Sequence, residues 1–176
     1  MSGETSYREL LVGCGTQRRK HITVLDNDSK PWCNLTTLDV NLDHRPSVVA
    51  DLNHHSLPFT DNSFDEIHAY EVLEHTGRQG DYRFFFDQFT EFHRVLKLGG
   101  VFYASCPSYK SMWAWGDPSH TRVFTSGSLV FLSQTAYQIG MGTTSMSDFR
   151  DYYTADFEIV WVLENEETLA FILRTK

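Results

Sequence analysis

Apolar residues along the chain follow two rhythms: short unbroken runs bounded by glycine, proline or asparagine, and one long stretch with a helical step. Residues 9–12 form a short run that breaks directly into Gly13-Cys14-Gly15, the pattern of a buried strand ending in a glycine turn. Residues 35–40, 47–52, 64–71 and 101–106 are further runs of side chains suited to a pleated, buried surface. From Asp81 the rhythm changes. Tyr82, Phe85, Phe86, Phe89, Phe92 and Leu96 fall at steps of three, one, three, three and four, one face of a helix. Asp81 is its expected cap and Gly99-Gly100 its expected stop. A second helix is expected over 126–138, capped by Thr125 and ending before Gly140. In the tail, 157–163 and 168–174 read as strands joined by Glu164-Asn165-Glu166-Glu167, an antiparallel hairpin.

Two segments resist this reading. Residues 16–34 are polar, contain Pro31 and keep only a weak apolar period at Ile22, Val24 and Leu25, so any helix there is short or imperfect. About six residues separate the second and third strands, fewer than the ~10–12 of a helical crossover, so a loop is expected to join them. Strands alternating with helices place the chain in the α/β class. The expected architecture is a mostly parallel sheet with helices on both faces and a C-terminal antiparallel hairpin.

The length of 176 residues fits one domain of ~100–200 residues, expected to span 1–176, with no internal repeat or low-complexity tract. Hydrophobic residues make up 41% and aromatic residues 14%, ample for a core. Fifteen basic against 23 acidic side chains give a net charge of -8, the wrong sign for neutralising phosphates, so nucleic acid is not favoured as a partner. No apolar run approaches the ~20 residues that cross a bilayer. Residues 1–20 lack a basic start followed by an apolar stretch and a cleavage site, and a cytoplasmic location is expected. Cys14, Cys33 and Cys106 are widely spaced without a CxxC pair and read as reduced thiols. The histidines form no HExxH or HxH pair, and His54-His55 on a strand would point to opposite faces; no metal is expected.

In a parallel sheet, ligands settle outside the carboxyl ends of the strands, where strand order reverses. Gly13-Cys14-Gly15 can bring backbone amides close to a ligand, or be plain turn geometry. Asp39 can accept both hydroxyl protons of a ribose, or cap a turn. Asp51 can take an adenine amine while Leu52 covers the ring, with Asp43 or the Asn53 neighbourhood competing for that role. At the end of the fourth strand, Glu71, Glu74 and His75 face either a cleft or solvent, while Val72 and Leu73 pack.

Taken together, LLVGCGTQ, LDV, VVADL, LPFTDNSFDEIHAYEVLEH and FHRVLKLGGVFYASCPS resemble the S-adenosylmethionine-dependent methyltransferases with a Rossmann-like sheet, over residues 9 to 138. The resemblance implies S-adenosylmethionine as cofactor. Its methionine part would lie at Gly13, Cys14 and Gly15, its ribose at Asp39, and its adenine at Asp51 and Leu52. Glu71 and Val72 would line the cofactor, and the segment through His75 the methyl-transfer side. Leu11 stands where many relatives have an acidic residue, Gln17 where they have glycine, and Leu98 where they have proline. Eight residues precede Glu9, too few for the helix that opens the family's domain. One wall of the cleft would then be open or completed by another subunit, as in a homo-oligomer.

Methyl transfer needs an aligned nucleophile and, for a hydroxyl, removal of its proton. His75 and His120 are the candidate bases; the alternative for each is a loop histidine bonded to backbone. Tyr109, Trp113 and Trp115 in residues 107–120 offer flat apolar surface to a ring-bearing or sugar-like ligand, or plug the gap left by the missing helix. DPSHTRVFT resembles a segment of relatives that act on glycans or lipids. Neither an Asp-Pro-Pro-Tyr nor an Asn-Pro-Pro-Tyr follows the fourth strand, and Cys106-Pro107 reverses the order used by cytosine C5 enzymes. The expected activity is methylation of a small-molecule or glycan acceptor at oxygen or nitrogen. Two alternatives are a catalytically inactive methyltransferase-like binding or regulatory subunit, and a nicotinamide-dependent oxidoreductase on a related sheet.

Overall fold

The structure, a computed structural model, describes residues 6–25, 30–54 and 56–176; His55 and part of the polar segment lie outside the described residues. Its centre is a seven-stranded sheet in the order β3-β2-β1-β4-β5-β7-β6. The strands are β1 (Glu9–Val12), β2 (Leu35–Asp39), β3 (Val48–Val49), β4 (Phe64–Tyr70), β5 (Leu96–Pro107), β6 (Phe157–Glu164) and β7 (Thr168–Thr175). Strands β3 to β5 run parallel around β1, and β7 pairs antiparallel with both β5 and β6. Order reverses between β1 and β4, whose carboxyl ends therefore frame the crevice expected of an open α/β sheet. The α/β class, the mostly parallel sheet and the closing hairpin stand as expected from the sequence; the helices expected on both faces differ, since among the described residues α1, α3 and α4 cover one face and loop and strand residues close the other.

Alternation along each strand divides the core between the two faces. Leu10, Val12, Ile67, Ala69, Phe102, Ala104 and Phe171 point to one face, where α1 (Tyr82–Val95), α3 (Ser126–Val130) and α4 (Gln134–Gly140) lie. Phe86, Phe89 and Phe92 of α1 are buried there, and Asp81 caps the helix by accepting from the Phe84 amide at 3.1 Å. Leu11, Tyr70, Tyr103, Ala170 and Ile172 point to the other face, where Ile22, Leu25 and Trp32 of the polar segment and Trp161 close over them. The described part of that segment contains no helix.

Several boundaries move for identifiable reasons. The third strand shrinks to two residues because the Ser47 amide bonds the Thr37 hydroxyl at 2.8 Å and Asp51 starts a turn. The fourth stops at Tyr70, since Glu71 swings to φ 50°. Gly99-Gly100 does not stop α1. Leu96 is already extended and begins β5, and the glycines accommodate the register shift against β4. The helix expected over 126–138 breaks at 131–133, where the Ser133 hydroxyl caps α4. A short α2 (Met112–Gly116), capped by Ser111, was not legible in the sequence. No described helix is long and apolar enough to cross a membrane, and all three cysteines are free thiols.

Candidate functional site

The strand ends converge as the switch-point rule requires. The Gly15 amide donates to Asp39 Oδ2 at 2.8 Å, tying the turn after β1 to the end of β2, and the Ala50 amide donates to the Asp39 carbonyl at 3.1 Å. Gly13, Asp39 and Asp51 thus lie along one edge. Gly13 has φ +59°, and a Cβ there would stand 2.3 Å from Val72 Cγ2. Glycine therefore serves twice, for the left-handed turn and for the close approach of Val72. Gly15, at φ +48°, has open space where a Cβ would stand, while its amide and carbonyl are held by Asp39 and Arg18. Cys14 turns its thiol into the second-face core and brings only its backbone to the crevice.

Asp39 is buried and multiply bonded. Burial would raise its carboxyl, but the amides of Asn41 and Gly15 and the imidazole of His44 hold it below the ordinary value. His44 Nδ1 lies 3.2 Å from Oδ1. A carboxylate offers about four lone-pair sites, so Asp39 retains capacity for a ligand hydroxyl. Arg18, which sequence reasoning passed over, spans the same edge, donating to the carbonyls of Gly15, His44 and Arg45. Asp51 Oδ1 accepts from the amide and side chain of Asn53, forming a local turn. The Asn53 side chain in turn accepts from the Gly77 amide at 2.9 Å. Leu52 lies buried in the first-face core.

Across the reversal, the end of β4 builds a second group. Glu71 is held in its left-handed conformation by the Ser105 hydroxyl, which donates to Glu71 Oε1 at 2.6 Å, while its own amide donates to the Ser105 carbonyl. A non-glycine residue at positive φ costs ~1–3 kcal/mol and marks a position that the surroundings over-determine. Leu73–His75 form a 3-10 turn. Onto it the segment after α2 is bonded: the Thr121 amide donates to the Glu74 carbonyl at 2.8 Å. His120 thereby meets His75, ring centroids 4.7 Å apart. The two imidazoles, Glu71, Glu74, Asp117 and Trp113 line a cleft of about 350 Å³.

The electrostatics of this cleft are unusual. Glu74 is buried, and among the described residues its Oε2 has no partner. Burial, reinforced by Glu71, pushes its carboxyl up to about 8. Behind it Arg122 is buried, donating to the Leu73 carbonyl and to the side chains of Thr76 and Gln88. Burial brings that guanidinium down to about 10. The DPSHTR string carries both His120 and Arg122; a basic residue inside an otherwise loop-like stretch was the available signal for the latter.

Of the expected site residues, Gly13, Cys14, Gly15, Asp39, Asp51 and Leu52 fall on the β1–β3 side, and Glu71, His75 and His120 on the β4–β5 side. Val72, packed on Gly13, is where the two sides touch. A glycine turn with free space beside Gly15 and a carboxylate at the end of β2 suit an adenosine-bearing cofactor with an amino-acid tail.

Comparison with known proteins agrees with this geometry. Residues 10–104 match the family model of a methyltransferase domain. No curated protein matches the sequence. Among solved structures, a S-adenosylmethionine-dependent methyltransferase from Archaeoglobus fulgidus shares 13% identity over 97% of this chain and 86% of its own, with a TM-score of 0.59. One from Mesorhizobium loti shares 14% identity over 96% and 91%, TM-score 0.59. One from Methanosarcina mazei shares 19% over 98% and 93%, TM-score 0.58. With more than half of its length matched by the family model, the chain belongs to the methyltransferase-domain family, a Rossmann-like fold whose cofactor is S-adenosylmethionine.

Proposed function

We propose that the chain, acting as a single domain, transfers a methyl group from S-adenosylmethionine to an oxygen or nitrogen of a small-molecule or sugar-like acceptor. The observation that carries this reading is the contact of Val72 with Gly13, which sets the cleft of His75 and His120 directly beside the glycine turn. When bound, the cofactor supplies a methyl group already activated on a sulfonium. The protein then has to bind, align and deprotonate. Gly15 leaves room for the amino-acid tail, with Gly13 and the Cys14 backbone forming the turn beside it. Asp39 accepts from ribose hydroxyls, Asp51 and Leu52 border the adenine, and Glu71 and Val72 border the transferring group. Trp113, exposed and lining the cleft, offers an acceptor a flat wall. The imidazoles of His75 and His120 meet the acceptor's proton. The excess of acidic groups supports a neutral or cationic acceptor over a nucleic acid.

The test is calorimetric titration with S-adenosylmethionine, followed by labelled-methyl transfer to a panel of hydroxyl, amine and sugar acceptors. Asp39→Ala is expected to weaken cofactor binding by roughly 10- to 100-fold, the scale of losing hydrogen bonds to a charged group. A thermal response to NAD(P)H with none to S-adenosylmethionine overturns the reading. One observation favours the alternative of a non-catalytic binding subunit: Gln17 stands where the family's glycine turn has a further glycine. That reading expects cofactor binding with no transfer to any acceptor.

A further inference from the structure

We infer that Glu74, His75 and His120 hold one divalent first-row transition-metal ion, of which zinc is the simplest case, in the wall of the acceptor cleft. One donor atom from each residue falls within a set whose members all lie within 4.8 Å of one another. Tetrahedral ligands ~2.0–2.2 Å from zinc stand ~3.4 Å apart, so side-chain rotations of about 1.4 Å at the widest pair close the set. Glu74 and His75 share one 3-10 turn, and the bond from the Thr121 amide to the Glu74 carbonyl fastens the strand of chain bearing His120 against it.

Three further observations point to a ligand. Glu74 is 98% buried, relative exposure 2%, yet Oε2 has no partner among the described residues, and neither has His120 Nδ1. Buried polar atoms are rarely left unpaired. His75 Nδ1 faces the Ser119 carbonyl at 3.3 Å, the kind of outer-shell contact that metal-bound histidines usually make, and Asp117 Oδ2 stands 3.8 Å from His120 Nε2, beyond direct hydrogen-bond distance. Asp117 is itself fixed by the Ser119 amide and hydroxyl. Two imidazoles and one carboxylate select zinc, iron, cobalt or manganese over magnesium or calcium, which prefer all-oxygen sites. Three protein ligands leave positions open toward the cleft.

What the ion would do rests on the proposed methyl transfer. It would coordinate a hydroxyl of the acceptor and lower its pKa, as zinc lowers that of bound water. The acceptor oxygen, its proton released to solvent, forms the new bond to the methyl carbon, and the electron pair of the broken carbon–sulfur bond stays on sulfur. The acceptor class narrows to hydroxyl-bearing molecules, and the two imidazoles act as ligands rather than as free bases.

Chelator-treated protein is dialysed against Zn²⁺, and the bound metal is counted, with Co²⁺ absorption reporting the ligand set. One ion per chain is expected, with a tetrahedral or five-coordinate Co²⁺ spectrum. Glu74→Gln, His75→Gln and His120→Asn are each expected to weaken binding by at least ~100-fold, beyond the 10–100-fold of outer-shell partners. His54→Ala, an exposed histidine elsewhere, is expected to leave binding unchanged. No bound metal, or metal retained by the His75→Gln/His120→Asn double variant, overturns the inference, and water then fills the site. S-adenosylmethionine binding is titrated on the same metal-free preparation. Metal uptake by a preparation that binds no S-adenosylmethionine overturns the methyltransferase reading alone; S-adenosylmethionine binding by a preparation that takes up no metal overturns the metal site alone.

Discussion

The two faces of the sheet are built on different physics. On the face toward α1, phenylalanines pack edge to face or tilted: Phe89 lies 5.1 to 6.5 Å, ring centre to ring centre, from Phe85, Phe92, Phe102, Phe124 and Phe157. On the other face the described polar segment has no helix, and a buried charge network takes the helix's place. Lys20 lies 2.8 Å from Glu9 and 2.9 Å from Glu66, and Tyr7 donates to Glu66 at 2.6 Å. His68 Nε2 lies 2.9 Å from Glu66, and its ring stacks on Tyr103 at 4.5 Å. Glu9 also accepts the amides of Cys33 and Asn34, fixing the loop to the start of β1. A face can therefore be closed without helical area, provided every buried charge finds a partner. One face depends on contact area, the other on satisfied charge.

The largest effect expected is on the helical face. Phe89→Ala leaves a cavity among five rings and is expected to cost about 3–5 kcal/mol, read from urea unfolding midpoints at constant slope. A loss under about 1 kcal/mol would show that the ring cluster is not what holds α1 to the sheet. On the other face, Lys20→Met keeps the stem and removes the cation between two carboxylates. Breaking a buried pair from one side costs about 3 kcal/mol or more. Replacing both carboxylates as well, by Glu9→Gln and Glu66→Gln, is expected to recover part of that loss. If Lys20→Met proves neutral, the loop is held by packing alone and the contrast between the faces disappears.

Acid should separate the faces next. Burial lowers the His68 imidazole below its usual 6.5, only partly offset by Glu66. The unfolded chain thus takes up a proton that the folded chain refuses, and stability declines as pH falls through 6.5. Burial alone would raise Glu66, but hydrogen bonds from His68, Tyr7 and Lys20 outweigh it and hold the carboxyl down to about 2 from 4.5. Its contribution is complete above pH 4.5 and is lost between there and about 2. Glu66→Gln is expected to flatten the lower part of the midpoint-against-pH curve relative to the parent. Parallel curves for the two proteins would remove Glu66 from the acid response.

This contrast also explains what the sequence made legible. Phe85, Phe89 and Phe92 announce their face because apolar area has a period, and the hairpin shows itself through Glu164-Asn165-Glu166-Glu167. The charge network has no period. Lys20 and Glu66 are 46 positions apart, and only the presence of Glu9, Glu66 and His68 inside strand runs hinted that they are buried. The break at 131–133 and the shortened β3 turn on single side chains, the Ser133 cap and the Thr37–Ser47 pair, which compete locally with regular structure. The site divides the same way. Strand ends at Gly13, Asp39 and Glu71 follow from topology alone. The isolation of Glu74 depends on burial by Arg122 and the returning chain at Thr121, which no local pattern encodes.

The smallest effect isolates what matters about charge on the second face. Arg174 and Glu158 face each other across β7 and the edge strand β6, 2.9 Å apart, on the same side as Lys20, but their side chains are 39% and 49% exposed. Water already solvates both ions, and holding two long side chains in one geometry offsets most of the attraction. Glu158→Gln is therefore expected to change stability by less than about 0.5 kcal/mol, and the small change should shrink further in 0.5 M salt, where screening is nearly complete at this range. Lys20→Met should keep its full effect in that salt, because no counterion reaches a buried pair. Equal salt sensitivity at the two sites would mean that the Lys20 network is open to solvent, and that the face without helices is held by something other than enclosed charge.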